Sequence, residues 1–254
     1  MLDRAFAPSD LPARRRHHLR RSGAVATTAA IAVISTTACA VSPAQPPLDP
    51  PPASSHVHDL AFSDEGNLLV ATHGGLFEVP PSGGNAQLLG GVAFDAMGLA
   101  VLDRTIYASG HPGPDSTDDF SQPNVGLMAY QAAEWASISA AGDADFHLLA
   151  TSPADPNSIV AMRSDSIALQ VSTDAGQSWV SGASIEARDV AIDAGDANLV
   201  VATTPEGLML SSDGGMTMTP APSSPLLVTI SPSEPGQIIG VAPDGQVWSG
   251  APTT

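Results

Sequence analysis

The chain has 254 residues, with 26 acidic side chains against 9 basic ones and a formal net charge of −17. All nine basic residues are arginine, and six of them (Arg4, Arg14, Arg15, Arg16, Arg20, Arg21) lie in the first 21 positions. A chain this acidic repels phosphate backbones, which excludes nucleic acid as a partner, and one cysteine excludes a disulfide framework or a thiolate zinc site.

The first predicted element is an address. Arg14 to Arg21 is a basic stretch, and Gly23 to Ser35 (GAVATTAAIAVIS) is an uncharged, mostly apolar run too short to span a bilayer as a helix. Small residues Thr36, Thr37 and Ala38 then precede Cys39, so residues 1–38 read as a signal peptide. The cysteine after Ala38 resembles a bacterial lipobox, which implies lipidation at Cys39. Thr36 stands where such boxes usually carry leucine, and an ordinary signal peptide with an incidental cysteine is the alternative. Val41 to Ser55 (VSPAQPPLDPPPASS) holds six prolines, so 39–55 reads as a lipidated cysteine and an extended tether. The expected location is the outer face of the cytoplasmic membrane, reached only through the lipid; secretion is the alternative. Two acids leave with such a leader, and the remaining 24 face only Arg104, Arg163 and Arg188.

From His56 to the end, short β-rich runs alternate with Gly, Pro, Asp and Asn. A first-strand line recurs at His58-Asp59-Leu60, Met97-Gly98-Leu99, His147-Leu148-Leu149, Arg188-Asp189-Val190 and Leu227-Val228-Thr229, spaced 39, 50, 41 and 39 residues apart. Such spacing suits four-stranded propeller blades. Second strands follow at Leu69–Thr72, Ile106–Ser109, Ile159–Met162, Leu199–Thr203 and Ile238–Val241, and third strands at Gly75–Val79, Gly126–Tyr130, Ala168–Val171, Gly207–Leu210 and Gly245–Trp248. The predicted fold is an all-β propeller over 56–254, with five units visible and the last incomplete at Ser249-Gly250, so that the ring is expected to be open or five-bladed, or the C-terminus short relative to relatives.

Two turns after third strands share a pattern. Ser172, Asp174, Gly176 and Trp179 fit S-x-D-x-G-x-x-W, and Ser211, Asp213 and Gly215 repeat it with Met218 in place of Trp. Asp can accept backbone N–H bonds within its own turn, Gly supplies positive φ, and Trp packs between blades. These turns resemble the Asp-box, or bacterial neuraminidase repeat, of sialidase-like propellers. That resemblance implies a structural role at the blade rims.

The candidate chemistry lies in columns. His58 and His147 share a first-strand column with Arg188; His73 and His111 follow second strands where Arg163 stands in the third unit. His56 lies two residues before His58. In a propeller these positions can converge on the hub, where imidazoles beside Asp59, Asp95 or Asp145 would make an N/O site for a divalent transition metal such as zinc, copper, nickel or iron. Separate histidines capping strand ends are the plainer alternative. The insertion Pro112 to Pro123 carries Asp115, Asp118 and Asp119, without EF-hand spacing, and reads as a solvated acidic loop.

His56-Val57-His58-Asp59-Leu60, Thr72-His73-Gly74-Gly75-Leu76, Asp95-Ala96-Met97-Gly98-Leu99, Ser109-Gly110-His111-Pro112 and Asp145-Phe146-His147-Leu148 follow in order. This series resembles a family of secreted Gram-positive, often actinobacterial, lipoproteins labelled sialidase-like glycosyl hydrolases. The resemblance spans His56 to Gly250 and implies six blades. It is not matched by sialidase chemistry. Arg104 falls in a turn, the Arg-Ile-Pro motif is absent, and Tyr107 and Tyr130 have no paired Glu nearby. The catalytic residues are therefore unassigned. The expected function is a cell-surface propeller with a histidine-lined hub binding a ligand or metal. An exo-glycosidase and a non-catalytic assembly scaffold are the alternatives, with a carbohydrate, small ligand or protein as the partner on the propeller face.

Overall fold

The structure is a computed structural model, which describes residues 56–113, 116, 120–221 and 224–252. The signal peptide, Cys39, the tether and the acids Asp115, Asp118 and Asp119 lie outside the described residues. Nineteen strands form five antiparallel sheets. Blade 1 comprises β1 (Val57–Phe62), β2 (Leu68–Thr72), β3 (Gly75–Val79) and β4 (Gln87–Leu88), followed by a 3₁₀ turn at Leu89–Gly91. Blade 2 comprises β5 (Asp95–Leu102), β6 (Thr105–His111), β7 (Leu127–Gln131) and β8 (Glu134–Ser139). Blade 3 runs through β9 (Phe146–Thr151), β10 (Ile159–Arg163), β11 (Ala168–Ser172) and β12 (Val180–Ser184). Blade 4 has β13 (Asp189–Ile192), β14 (Val200–Thr204), β15 (Gly207–Ser211) and β16 (Thr219–Pro220). Blade 5 has three strands, β17 (Thr229–Glu234), β18 (Gln237–Val241) and β19 (Val247–Gly250). The fold is thus the expected propeller, with five blades; a sixth, implied by the family resemblance, is not formed among the described residues.

The second strands explain why the blades stack. Val70 and Ala71 of β2, Val160 and Ala161 of β10, and Val200, Val201 and Ala202 of β14 are buried on both strand faces. A strand sandwiched between two neighbouring sheets needs apolar residues at successive positions rather than alternate ones. Four buried clusters result, joining blades 1 and 2, 2 and 3, 3 and 4, and 4 and 5. No such cluster joins blade 5 to blade 1 among the described residues. Leu60 and Phe62 on β1 and Ile239 on β18 are instead exposed at 57%, 68% and 42%.

Hydrogen bonds tie the inner strands together as well. The Asp59 carboxylate accepts the N–H of Leu60 at 2.7 Å and, from the next blade, that of Leu99 at 3.1 Å. Asp189 repeats this in blade 4, accepting from Val190 at 2.8 Å and across to Ile230 at 2.8 Å, with the Thr229 hydroxyl donating at 2.6 Å. The equivalent first-strand position therefore clamps blade 1 to 2 and blade 4 to 5. Burial pushes the Asp59 carboxyl up to about 7, opposed by its backbone bonds and helped by Asp189, and burial also raises Asp189.

The two S-x-D-x-G turns are wired alike. Ser172 Oγ donates to Asp174 Oδ1 at 2.8 Å and accepts the N–H of Gly176 at 2.9 Å, while Asp174 accepts the N–H of Ser178 at 2.8 Å. Ser211, Asp213, Gly215 and Thr217 make the same set at 2.7, 2.8 and 2.8 Å. Gly176 and Gly215 have φ of +82° and +92°, where a side chain would be strained. Trp179 Nε1 donates to Ser139 Oγ of blade 2 at 3.0 Å, and its ring lies 4.8 Å from Phe146. With their acceptor capacity engaged inside the turns, Asp174 and Asp213 serve architecture.

Candidate metal centre at one end of the channel

The five first strands surround a channel, and β1, β5 and β9 all enter it at one end. That end gathers the histidines. Asp95 opens β5 opposite His111, the last residue of β6. His73 occupies the tight β2–β3 turn, which Thr72 fixes: its hydroxyl donates to Gly75 O at 3.0 Å and accepts the N–H of Gly74 at 3.1 Å. Gly110 sits under Asp95 at φ +152°, and a Cβ there would lie 1.9 Å from the Asp95 carbonyl oxygen. Only a glycine lets β6 approach that closely.

Asp95 is the hub of the cluster. His73 Nδ1 lies 2.7 Å from its Oδ2, His111 Nε2 lies 3.6 Å from the same oxygen, and His58 Nε2 lies 3.5 Å from Oδ1. His58 Nε2 and His73 Nδ1 are 3.2 Å apart, and His56 Nδ1 faces the other nitrogen of His73 at 3.1 Å. The Asp95 side chain is 6% exposed, and among the described residues Oδ1 has no hydrogen-bond partner. A buried carboxylate oxygen without a donor is costly, a cost that a bound cation would relieve. His58, His73 and Asp95 each offer a ligand atom within 4.8 Å of the others. The donor set is nitrogen with one carboxylate, suited to zinc, copper, nickel or iron. Burial, with His73 alongside, holds His58 below the usual histidine range, which favours the neutral form that binds metal.

The third blade adds a neighbouring pair. His147 Nε2 lies 2.9 Å from Asp145 Oδ2, and this bond raises the histidine's basicity, with Asp95 contributing from nearby. Asp145 is buried, and its Oδ1 also lacks a partner. Blades 1, 2 and 3 therefore supply every described histidine and both carboxylates.

The two arginines of the same columns are placed otherwise. Arg163 points its guanidinium to Asp165 at 2.8 Å and Asp143 at 2.8 Å, which raise its pKa further. Two exposed carboxylates within reach capture it, and none of its hydrogen bonds goes to a histidine. Arg188 is exposed, and its backbone N–H donates to Thr203 O at 2.8 Å, the one hydrogen bond it makes among the described residues. Arg104 lies in the β5–β6 turn and Tyr107 and Tyr130 inside β6 and β7, which agrees with their exclusion from sialidase roles. Sequence reasoning placed Asp95 and Asp145 beside the histidines without singling out Asp95 as the hub; the signal was its position directly before the β5 apolar run, opposite Gly110-His111.

The fold is that of the β-propellers. No protein-family profile matches the chain, and no curated protein matches it in sequence. Among solved structures, a gluconolactonase from Xanthomonas campestris is similar with a TM-score of 0.55 at 13% identity, over 76% of this chain and 71% of that one. A GH74 xyloglucanase from the same organism gives 0.54 at 15% identity, over 77% of this chain but 36% of the enzyme. A putative gluconolactonase gives 0.54 at 12% identity, over 76% and 73%. At such identities the likeness is one of fold.

Proposed function

We propose that this protein is an exported lipoprotein whose propeller holds a divalent transition metal ion at the channel end, with His58, His73 and Asp95 as ligands and His111 beside them. The observation that carries this reading is the buried Oδ1 of Asp95, which no hydrogen bond reaches among the described residues and which faces His58 Nε2 at 3.5 Å, while Oδ2 meets His73 at 2.7 Å. The N-terminal pattern ending at Cys39 supports export and a lipid anchor, and the surplus of acid fits a partner that is neither nucleic acid nor a bare anionic membrane. His56 would orient His73 from the outer side, as second-sphere groups do. Calorimetric titration of the purified protein with zinc, nickel and copper salts tests the proposal. One site per chain is expected, weakened more than about tenfold in His73→Ala and in Asp95→Asn. Absence of saturable binding for all three ions would refute it.

The His147–Asp145 pair favours a second reading, hydrolysis, because a carboxylate-oriented imidazole beside a metal can act as a general base. The fold-level likeness to a GH74 enzyme and to gluconolactonases places hydrolases among the propellers of comparable shape. A screen of aryl-glycosides, sialosides included, and of lactones would show zinc-dependent turnover that His147→Ala abolishes. No turnover on any of them would leave metal binding as the function.

A further inference from the structure

A second concavity lies further along the channel, and no histidine lines it. Its volume is about 520 Å³, within the range of small-molecule sites. All five first strands wall it, and Ile239–Val241 of β18 join them, although no second strand of another blade reaches the cavity. The slot therefore opens sideways between blade 5 and blade 1, the junction without a buried cluster. Its rim carries the exposed side chains of Leu60, Phe62 and Ile239.

The polar lining gives the slot its chemistry. Asp59 and Asp189 both line it, and among the described residues no basic side chain does. Neither carboxylate has an ion-pair partner among the described residues; both are held only by neutral N–H and hydroxyl donors. Two carboxyl groups without a counter-charge line one cavity, so an entering cation gains from both and an anion is rejected. A neutral apolar ligand would desolvate them without compensation, and a second copy of so acidic a chain would add like charge.

We propose that this slot binds an organic cation with an apolar body, its ammonium group toward Asp59 and Asp189 and its hydrocarbon against Leu60, Phe62 and Ile239. The site shares no side chain with the histidine centre.

Calorimetry of the purified protein with hexylammonium chloride tests it, with sodium hexanoate at equal ionic strength as the comparison. Hexylammonium saturates at one per chain, hexanoate does not bind, and zinc leaves the amine affinity unchanged. Asp189→Asn weakens amine binding by at least about tenfold. Because Asp189 also clamps blade 5, Ile239→Lys provides a fold-neutral variant at an exposed position: its ammonium occupies the slot and abolishes binding. Equal binding of hexanoate, non-saturable binding, displacement by zinc, or unchanged affinity in Ile239→Lys would each overturn the proposal.

Discussion

Replacing Trp179 measures what the turn of blade 3 contributes to blade stacking. The indole is half-buried, packs 4.8 Å from Phe146 and donates to Ser139 Oγ at 3.0 Å. Truncation to alanine removes on the order of 100 Å² of buried apolar surface, about 2.5 kcal/mol at about 25 cal/mol per Å², and one hydrogen bond worth about 1 kcal/mol. Trp179→Phe keeps most of the first contribution. It loses the second entirely, because phenylalanine has no N–H to donate, while Ser139 Oγ keeps its own bond to Gly176 O at 2.5 Å. The expected costs are about 3 kcal/mol for Trp179→Ala and about 1 kcal/mol for Trp179→Phe. Urea unfolding followed by tryptophan-independent circular dichroism reads both. A thermal melt should fall by about 2–4 °C for each kcal/mol in a domain of this size. An alanine variant that loses less than about 1 kcal/mol, or a phenylalanine variant as damaged as the alanine one, would refute the account of this turn.

Three further substitutions probe other parts of the molecule. Backbone and side-chain bonds from Thr217 and Ser211 hold Asp213 down to about 2, below its ordinary 3.8. Its contribution is therefore present above the ordinary value and lost as pH falls toward 2, so the melting difference between wild type and Asp213→Asn should shrink on acidification from pH 5; a difference independent of pH would contradict this. Gly110→Ala forces a Cβ to within 1.9 Å of the Asp95 carbonyl oxygen, and is expected to cost more than about 3 kcal/mol and to weaken zinc binding even where the variant folds. Arg163→Gln removes two ion pairs to exposed carboxylates, so a stability loss below about 1 kcal/mol and unchanged zinc affinity are expected by denaturation and calorimetry.

Most of the fold was legible because each blade repeats a physical requirement. Doubly buried second strands such as Ile159–Met162 and Val200–Thr203 must be continuously apolar, and the turns at Ser172 and Ser211 must carry Asp and Gly. The short fourth strands were less visible: β4 and β16 have two residues each and leave little pattern. The histidine cluster was legible as columns, since position along an inner strand fixes height in the channel. What the columns did not contain was side-chain direction. Arg163 occupies the same column as His73 and His111, yet its long side chain reaches Asp143 and Asp165 instead. The slot between blades 5 and 1 was invisible for another reason: it depends on how far two blades remote in sequence stand apart, and on Asp59 and Asp189 being brought to one wall.

Cobalt(II) titration followed by visible absorption tests the metal centre most directly, because the band pattern reports the ligands as well as the stoichiometry. The account predicts ligand-field bands that saturate at one equivalent per chain, typical of nitrogen and oxygen donors with no thiolate charge transfer, and that vanish in His73→Ala and Asp95→Asn. Absorption that never departs from aqueous cobalt, or bands that survive both substitutions, would contradict it.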